Sequence, residues 1–530
     1  MFECPNCGQN LKFDIASQQM ACAYCDSQFN PYSIEKDVDA KNTEYFETTV
    51  FSCPQCGGEI FSSDNEAATF CLYCGGSTIL TERISAEKRP KYIIPFKKTK
   101  EDCKQAYAKK MRGAFFVPKE YKDAQFIDGF RGVYMPYWTY RIEHQGNFSI
   151  MSETVSRKGD YIITNHYALE GSLKAGFEGD AYDAASTFYD DISRSLAPYD
   201  FVEQVDFTPS FLSGFYGDCA DVEMDLYMDE AQEFAKEDIL QSIKEHEGFR
   251  EYTIKPNDEK KVKHAMKPGK AEADLTMYPV WFMSYRNNDR IAYATVNGQT
   301  GKVVADMPVD AKRYLLGSLL LAIPLFVLLN LLTIFNPKEI LCVCAGLLLL
   351  SALMYVAELS EIYKRECFIH DKAMLLKKGR SFEYEEGKSQ IDLESGFVEV
   401  FSKLLKYAGL VIWGVLMIVM IGSQIGSLFK YLIWPAIIIG TIICSVSAIK
   451  EIRKLEAVNN YLSVIMSIMV IAMAALVALV APVHDAWYYG GAILTLFAVA
   501  FNFIEIIRNY NLLTTRKLPQ FEKKGGDDYA

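Results

Sequence analysis

The amino-terminal half of the sequence has no long hydrophobic run and few basic residues. Residues 1–310 hold 34 Lys and Arg against 49 Asp and Glu; residues 1–30 contain a single Lys, and residues 51–80 contain neither Lys nor Arg. Binding of DNA or RNA through such segments would require clustered cations that neutralise phosphates. Nucleic acid is therefore a disfavoured partner, and a membrane-linked nucleic-acid-binding protein is the weakest of three functions that we consider.

Signatures of common enzymes are also missing. The chain contains no G-x-x-x-x-G-K-[ST], no H-E-x-x-H and no G-x-S-x-G. His144 and His166 lie in strand-like sequence, where a structural or surface role is the simplest interpretation. We therefore predict a protein that is not an enzyme, with no catalytic and no cofactor-binding residues.

The amino terminus, Met-Phe-Glu-Cys-Pro, has neither a basic segment nor an apolar stretch. A secretory signal peptide needs both. We therefore expect the amino-terminal region to be cytosolic.

Cysteine is concentrated near the amino terminus. Eight of the 14 cysteines form four C-x-x-C pairs, and the spacing C-x2-C-x14-C-x2-C occurs twice. Two tight turns that supply two thiolates each make a zinc ribbon, and four thiolates leave no open coordination position for catalysis. We predict two structural zinc ions; redox cysteines, or ligands shared between the clusters, are the alternatives. The predicted ligands are Cys4, Cys7, Cys22 and Cys25 in the first ribbon and Cys53, Cys56, Cys71 and Cys74 in the second.

The residue after the second cysteine of each pair supports this interpretation. Gly8, Gly57 and Gly75 occupy three of these positions, and Asp26 occupies the fourth. Glycine adopts a positive φ angle at little cost, and Asp is enriched in that region. The sequence therefore predicts a left-handed residue in every metal-binding turn.

The region after the ribbons has the composition of a soluble α+β domain. Thr99 is a plausible cap for a helix over 99–111. The aromatic stretches 135–141 and 278–286 read as strands of one antiparallel sheet, with Trp138 and Trp281 in its core. We expect the acidic run 180–191 to form a solvated loop.

Long apolar segments begin at residue 314. Six of them are long enough to span about 30 Å of hydrocarbon, which predicts an all-α six-helix transmembrane domain. Lys and Arg are concentrated in the loops on the side of the amino-terminal half, so the positive-inside rule places both termini in the cytosol. We also expect an amphipathic helix near 396–409 on the inner membrane surface. The predicted spans are 314–335, 340–358, 407–429, 431–449, 461–481 and 487–507.

Glu358, Asn502 and Glu505 are the polar residues of interest in these spans. Contacts between helices explain them more simply than a transport path does. A transporter or channel with a cytosolic zinc-ribbon regulatory module is therefore the second function considered.

Together, these features predict a multi-domain protein. Its expected parts are zinc ribbon 1 (1–30), a linker (31–50), zinc ribbon 2 (51–80), a cytosolic α+β domain (90–310), a transmembrane domain (312–510) with a cytosolic loop (360–406), and a cytosolic tail (511–530).

The tandem CPxCG ribbons, the IIPF strand and its helix, and the PVW and VNGQTGKV stretches resemble a family of bacterial zinc-ribbon membrane proteins of the YdjG type. Members are sometimes labelled primosomal-helicase-like because of their cysteines. The resemblance covers roughly residues 1–310 and implies association with SPFH (flotillin-like) and PspA-type envelope-stress proteins.

We therefore predict a non-enzymatic scaffold in the cell membrane that docks cytosolic proteins at the inner face of the bilayer. The expected partners are membrane lipid, a cytosolic SPFH or PspA-like protein, and a second copy of the chain in a homo-oligomer.

Overall fold

The structure is a computed structural model. It describes residues 2–34, 44–62, 70–77, 80–123, 127–250, 252, 254–332, 336–369, 371–377, 428–455, 458 and 460–521.

The first cysteine-rich segment forms a small antiparallel sheet of β1 (Leu11–Asp14), β2 (Gln19–Cys22) and β3 (Gln28–Phe29). Alternation in β1 buries Leu11 and Phe13, which face the rest of the protein. The Phe13 N–H donates to the Ser213 carbonyl at 3.0 Å. The first ribbon is thus attached to the α+β domain that follows the ribbons, here called the middle domain, by backbone hydrogen bonding and by apolar contact.

The second cysteine-rich segment belongs to a 12-stranded sheet. Its strand β5 (Glu59–Ser62) pairs with β4 (Tyr45–Ser52) on one side. On the other side β5 pairs in antiparallel orientation with β11 (Tyr216–Asp218) of the middle domain. The main path of the sheet is β10-β7-β12-β8-β11-β5-β4-β6, with β9 beside β8, β13 beside β12, and β14 and β15 beside β13. The strands are β4 (Tyr45–Ser52), β5 (Glu59–Ser62), β6 (Thr81–Lys88), β7 (Tyr92–Ile93), β8 (Arg131–Lys158), β9 (Tyr161–Asp183), β10 (Val205–Asp206), β11 (Tyr216–Asp218), β12 (Lys267–Asn287), β13 (Arg290–Asn297), β14 (Val303–Ala305) and β15 (Arg516–Lys517).

Strands β8 and β12 confirm the prediction for the two aromatic stretches. They pair antiparallel with Met135 opposite Tyr278. Trp138 and Trp281 are 8% and 5% exposed, and their indole N–H groups donate to the carbonyls of Val222 and Lys98. The aromatic residues therefore form the core of the middle domain, as expected.

Helices of the soluble region cover the sheet. The predicted cap at Thr99 is confirmed, since its side chain accepts from the Asp102 N–H and the Asp102 carboxylate accepts from the Thr99 N–H. These helices are α1 (Pro31–Ile34), α2 (Lys100–Gly113), α3 (Asp190–Leu196), α4 (Met228–Glu245) and α5 (Pro256–Ala265).

The hairpin of β8 and β9 extends well beyond the sheet. The last pairing of β8 with β12 is Gln145 opposite Lys267, whereas β8 and β9 stay paired as far as Lys158 and Tyr161. Helices α4 and α5 contact Phe148 and Ile150 of this arm. Beyond these helices the arm consists of the two paired strands β8 and β9 alone.

Within the described residues, four helices are long and apolar enough to cross a membrane. They occupy Pro337–Glu366, Ile433–Lys454, Leu462–Val480 and Ala486–Thr514. The described residues therefore support four of the six predicted spans. The expected span 314–335 is helical over Ala311–Leu332 but is not among the four, while the expected span 407–429 and the amphipathic segment 396–409 lie outside the described residues.

In chain order, the carboxyl-terminal helices are α6 (Ala311–Leu332), α7 (Pro337–Glu366), α8 (Lys372–Lys377), α9 (Leu428–Lys454), α10 (Leu462–Val480) and α11 (Ala486–Thr514). Helix α7 continues to Glu366, beyond residue 358, where the second predicted span ends.

Candidate metal centres and their contact with the membrane helices

The eight cysteines form two separate groups of four, and each group could hold one metal ion. In each group all four Sγ atoms lie within 4.8 Å of one another. A tetrahedral ion with metal–sulfur bonds near 2.3 Å requires sulfur atoms about 3.8 Å apart. The Sγ–Sγ distances are 3.6 Å for Cys4–Cys25, 3.5 Å for Cys7–Cys22, 3.8 Å for Cys53–Cys74 and 3.6 Å for Cys56–Cys71. The donor set fits a tetrahedral ion, and neither group takes a cysteine from the other ribbon.

The four turns that present these thiols share one backbone geometry. In each, the residue after the second cysteine donates its N–H to the carbonyl of the first cysteine. This bond closes a tight turn that ends in a left-handed residue, which confirms the prediction made from glycine placement. The φ angles are +73° at Gly8, +53° at Asp26, +75° at Gly57 and +65° at Gly75.

The two groups differ in their exposure. In the first, Cys7 and Cys25 are half-buried, and the neighbouring Tyr24 is 79% exposed. In the second, all four cysteines are buried. The first ribbon thus has a surface open to solvent, whereas the second is interior.

The chain that follows the last membrane helix covers the second group. The Phe521 N–H donates to the Cys56 carbonyl at 2.7 Å, and the Phe521 ring meets the Tyr73 ring edge-on at 5.7 Å. Gly58 is required beneath these rings, because a Cβ there would lie 2.6 Å from the Tyr73 ring. The expected cytosolic tail 511–530 therefore begins with structured chain that the sequence analysis missed. The only feature of the sequence that could have indicated this ordered segment is the presence of two apolar residues, Leu518 and Phe521, among polar ones.

A second contact joins the same segment to the middle domain. The Arg516 side chain is 7% exposed, donates to the Asp191 carboxylate at 2.8 and 3.0 Å, and lies 4.2 Å over the Tyr189 ring. Arg365, near the end of α7, also donates to Asp191, at 3.4 Å. Asp306 lies within 4.0 Å of both guanidinium groups. Arginines at the ends of two candidate spans thus meet two carboxylates of the middle domain.

The neighbouring arginines determine the protonation state of Asp191. Desolvation by itself raises the pKa of Asp191, but the adjacent Arg516 and Arg365 outweigh it and hold the pKa below its ordinary value. Asp191 is therefore ionised at neutral pH and forms true ion pairs.

The acidic run 180–191, expected to be a solvated loop, is largely interior. Asp183 and Asp190 are 2% and 1% exposed, and Asp371, which precedes α8, covers them. Burial raises the pKa of Asp190 to about 6 and raises those of Asp183 and Asp371 well above the ordinary value. The prediction failed because these residues are covered by chain that lies far away in sequence.

The chain resembles a known protein over part of its length. No protein-family model matches the chain, and no solved structure has significant similarity to it. The chain is similar to the uncharacterized protein YdjG of Bacillus subtilis (strain 168), with 27% identity over 313 residues that cover 58% of this chain and 90% of that protein. This similarity supports a relationship to YdjG-type proteins, as the ribbon and strand motifs predict.

Proposed function

We propose that the protein is a non-enzymatic scaffold, anchored in the cell membrane, that docks cytosolic partner proteins. The observation that carries this proposal is the free end of the β8–β9 hairpin. Tyr161, Ile162 and Val155 are 78%, 72% and 62% exposed there. Apolar side chains gathered on a projecting arm are typical of a surface that binds another protein.

The position of this free end favours a protein over the lipid of the anchoring membrane. One end of the sheet lies next to the last membrane helix, because Arg290 and Ile291 pair with β15, which directly follows α11. Strand β8 begins near this end, since its first residue, Arg131, pairs with Phe282 of the neighbouring strand β12. From Arg131 the strand runs 28 residues to Lys158, up to roughly 90 Å at about 3.3 Å per residue. The free end of the β8–β9 hairpin, with its exposed apolar residues, thus lies at the opposite end of β8 from the membrane helices.

The two metal groups have different roles in this proposal. Zinc is the ion that we assign to both, since four thiolates form its usual structural site. The second ion stabilises the contact between the sheet and the segment after α11. The first ribbon, with Tyr24 exposed, offers a smaller additional docking surface.

We further propose that the soluble domain and the chain end after α11 share the cytosolic side. The Phe521–Cys56 and Arg516–Asp191 contacts require a common side, and the basic loops favour the cytosol. The resemblance described above makes SPFH or PspA-type proteins the first partners to test, with a second copy of the chain as another.

Affinity purification from detergent extracts tests the proposal. We expect the double variant Tyr161→Thr/Ile162→Thr, which retains β propensity, to lose a partner that the wild type retains. Val202→Thr is the matched control, because Val202 is 91% exposed elsewhere in the domain. Identical partner sets for all three proteins would contradict the docking role of the hairpin.

A further inference from the structure

A polar cluster lies inside the bundle of membrane helices. Asn502, in α11, is 1% exposed. Its amide Nδ2 donates to the hydroxyls of Ser351 in α7, at 3.0 Å, and of Ser467 in α10, at 3.2 Å. Its Oδ1 accepts from the Ser463 hydroxyl. Three helices of the bundle therefore meet at one amide.

A small cavity of about 10 Å³ adjoins this cluster. Its lining includes Ser445, Ser463, Ser467, Asn502 and Tyr355, and it draws on all four candidate spans. Tyr355 is 2% exposed, and its hydroxyl has no hydrogen-bond partner within the described part of the chain. A buried phenol without a partner is costly, which points to an occupant that the described residues do not supply.

The oxygens around the cavity are arranged as acceptors. The Ser463 and Ser467 hydroxyls donate to Asn502 Oδ1, and the Ser445 hydroxyl donates to the Thr441 carbonyl at 2.7 Å. Each of these serine protons is thus directed to another protein atom, which leaves lone pairs of the serine oxygens available to an occupant.

Two carboxyl groups lie one helical turn away from the cavity. Glu505 follows Asn502 by three residues and is 5% exposed, with its Oε1 accepting from Asn460 and Arg508. Glu358 follows Tyr355 by three residues, and its Oε2 is buried without a hydrogen-bond partner among the described residues. Ionisable groups within membrane helices are candidates for ion sites.

We propose that this cavity binds a sodium ion. A volume of about 10 Å³ admits one occupant the size of a water molecule, which excludes organic ligands. Hydroxyl, amide and phenol oxygens are hard ligands that suit a small hard cation, and no Lys or Arg lines the cavity. The site goes beyond the scaffold role and does not depend on it.

Thermal unfolding of the purified full chain in detergent tests this site. The unfolding midpoint should rise by several degrees in sodium chloride over potassium or choline chloride at equal ionic strength, because an ion that binds only the folded state stabilises it. The rise should saturate with sodium concentration. It should vanish in Ser463→Ala/Ser467→Ala and persist in Ser447→Ala, a serine of α9 outside the cavity lining.

Equal midpoints of the wild type in the three salts, expected for a cavity that holds only water, would overturn the proposal. A sodium effect that survives in the double variant would overturn it as well, because the ion would then bind elsewhere. If the double variant loses its helical circular dichroism, Ser445→Ala, on the opposite helix α9, replaces it with the same expected result.

Discussion

The backbone N–H of Phe521 donates a 2.7 Å hydrogen bond to the carbonyl of Cys56, a residue of the second metal group. The chain that leaves the last membrane helix therefore reaches one of the cysteine turns of the second group. This contact joins residues that are more than 400 positions apart in the sequence.

Removing the Phe521 ring should weaken this contact. Phe521→Ala exposes Tyr73 and removes the burial of a half-buried aromatic ring, which should lower the free energy of unfolding of the soluble domain by about 1–2 kcal/mol. Phe115→Ala is the control, since Phe115 is 76% exposed and should contribute little. Chemical denaturation followed by tyrosine and tryptophan fluorescence measures both. Equal stability of the two variants would show that the ring does not stabilise the second ribbon.

The two metal groups should respond differently to loss of a ligand. Metal analysis of the wild type should return two zinc ions per chain, and Cys22→Ser or Cys71→Ser should each return one. Cys71→Ser should also increase proteolysis after α11, because the buried second group supports that segment, whereas Cys22→Ser should leave it protected. Equal protection in both variants would contradict the different roles assigned to the two ions.

Arg516 should be critical to the contact between the membrane helices and the soluble domain. Arg516→Met leaves the half-buried Asp191 and the buried Asp306 without their closest cation, which should cost about 3–5 kcal/mol. Arg516→Lys should restore little of this, because an ammonium cannot reproduce both the paired hydrogen bonds and the stacking on Tyr189.

Lys517→Met is the neighbouring control. Lys517 is 53% exposed and lies 3.7 Å from Glu366, so its removal should cost less than about 1 kcal/mol. Thermal or chemical unfolding in detergent compares the three variants. A wild-type stability for Arg516→Met would contradict the network.

Local patterns in the sequence predicted the cysteine groups, one helix cap and the aromatic strands. Contacts between residues that are distant in sequence were not predicted. Cysteine spacing, the Thr99 cap and the aromatic strands depend on neighbouring residues, and each was interpreted correctly at the level of geometry. The partners Asp191 and Arg516 are 325 residues apart, so no local pattern reveals that the acidic run is covered. Hydropathy ended the second span at residue 358, but α7 continues to Glu366, where Arg365 reaches Asp191.

Asp218 should make stability depend on pH. It is 1% exposed, accepts from the Thr187 hydroxyl and the Cys219 N–H, and its pKa is raised by burial to about 7. A carboxyl whose pKa is higher in the folded state than in the unfolded state stabilises the fold fully below the unfolded value of about 4. The stabilisation decreases by about 1.4 kcal/mol per pH unit between the unfolded-state and folded-state pKa values, because the folded state holds one more proton there. It is lost once the pH has risen through about 7.

Asp218→Asn should therefore flatten the dependence of the unfolding free energy on pH between about pH 5.5 and 7. Zinc content, measured at each pH, separates this effect from metal release. An unchanged slope in the variant would show that Asp218 titrates normally in the folded protein.

Site-specific photo-cross-linking in cells tests the scaffold proposal most directly. A cross-linking amino acid at position 162, on the exposed end of the hairpin, should give one discrete adduct whose second component is a cytosolic protein or another copy of this chain. The same probe at position 202, which is more exposed than position 162, should give none. Adducts to lipid alone at position 162, or the same adducts at both positions, would contradict the account.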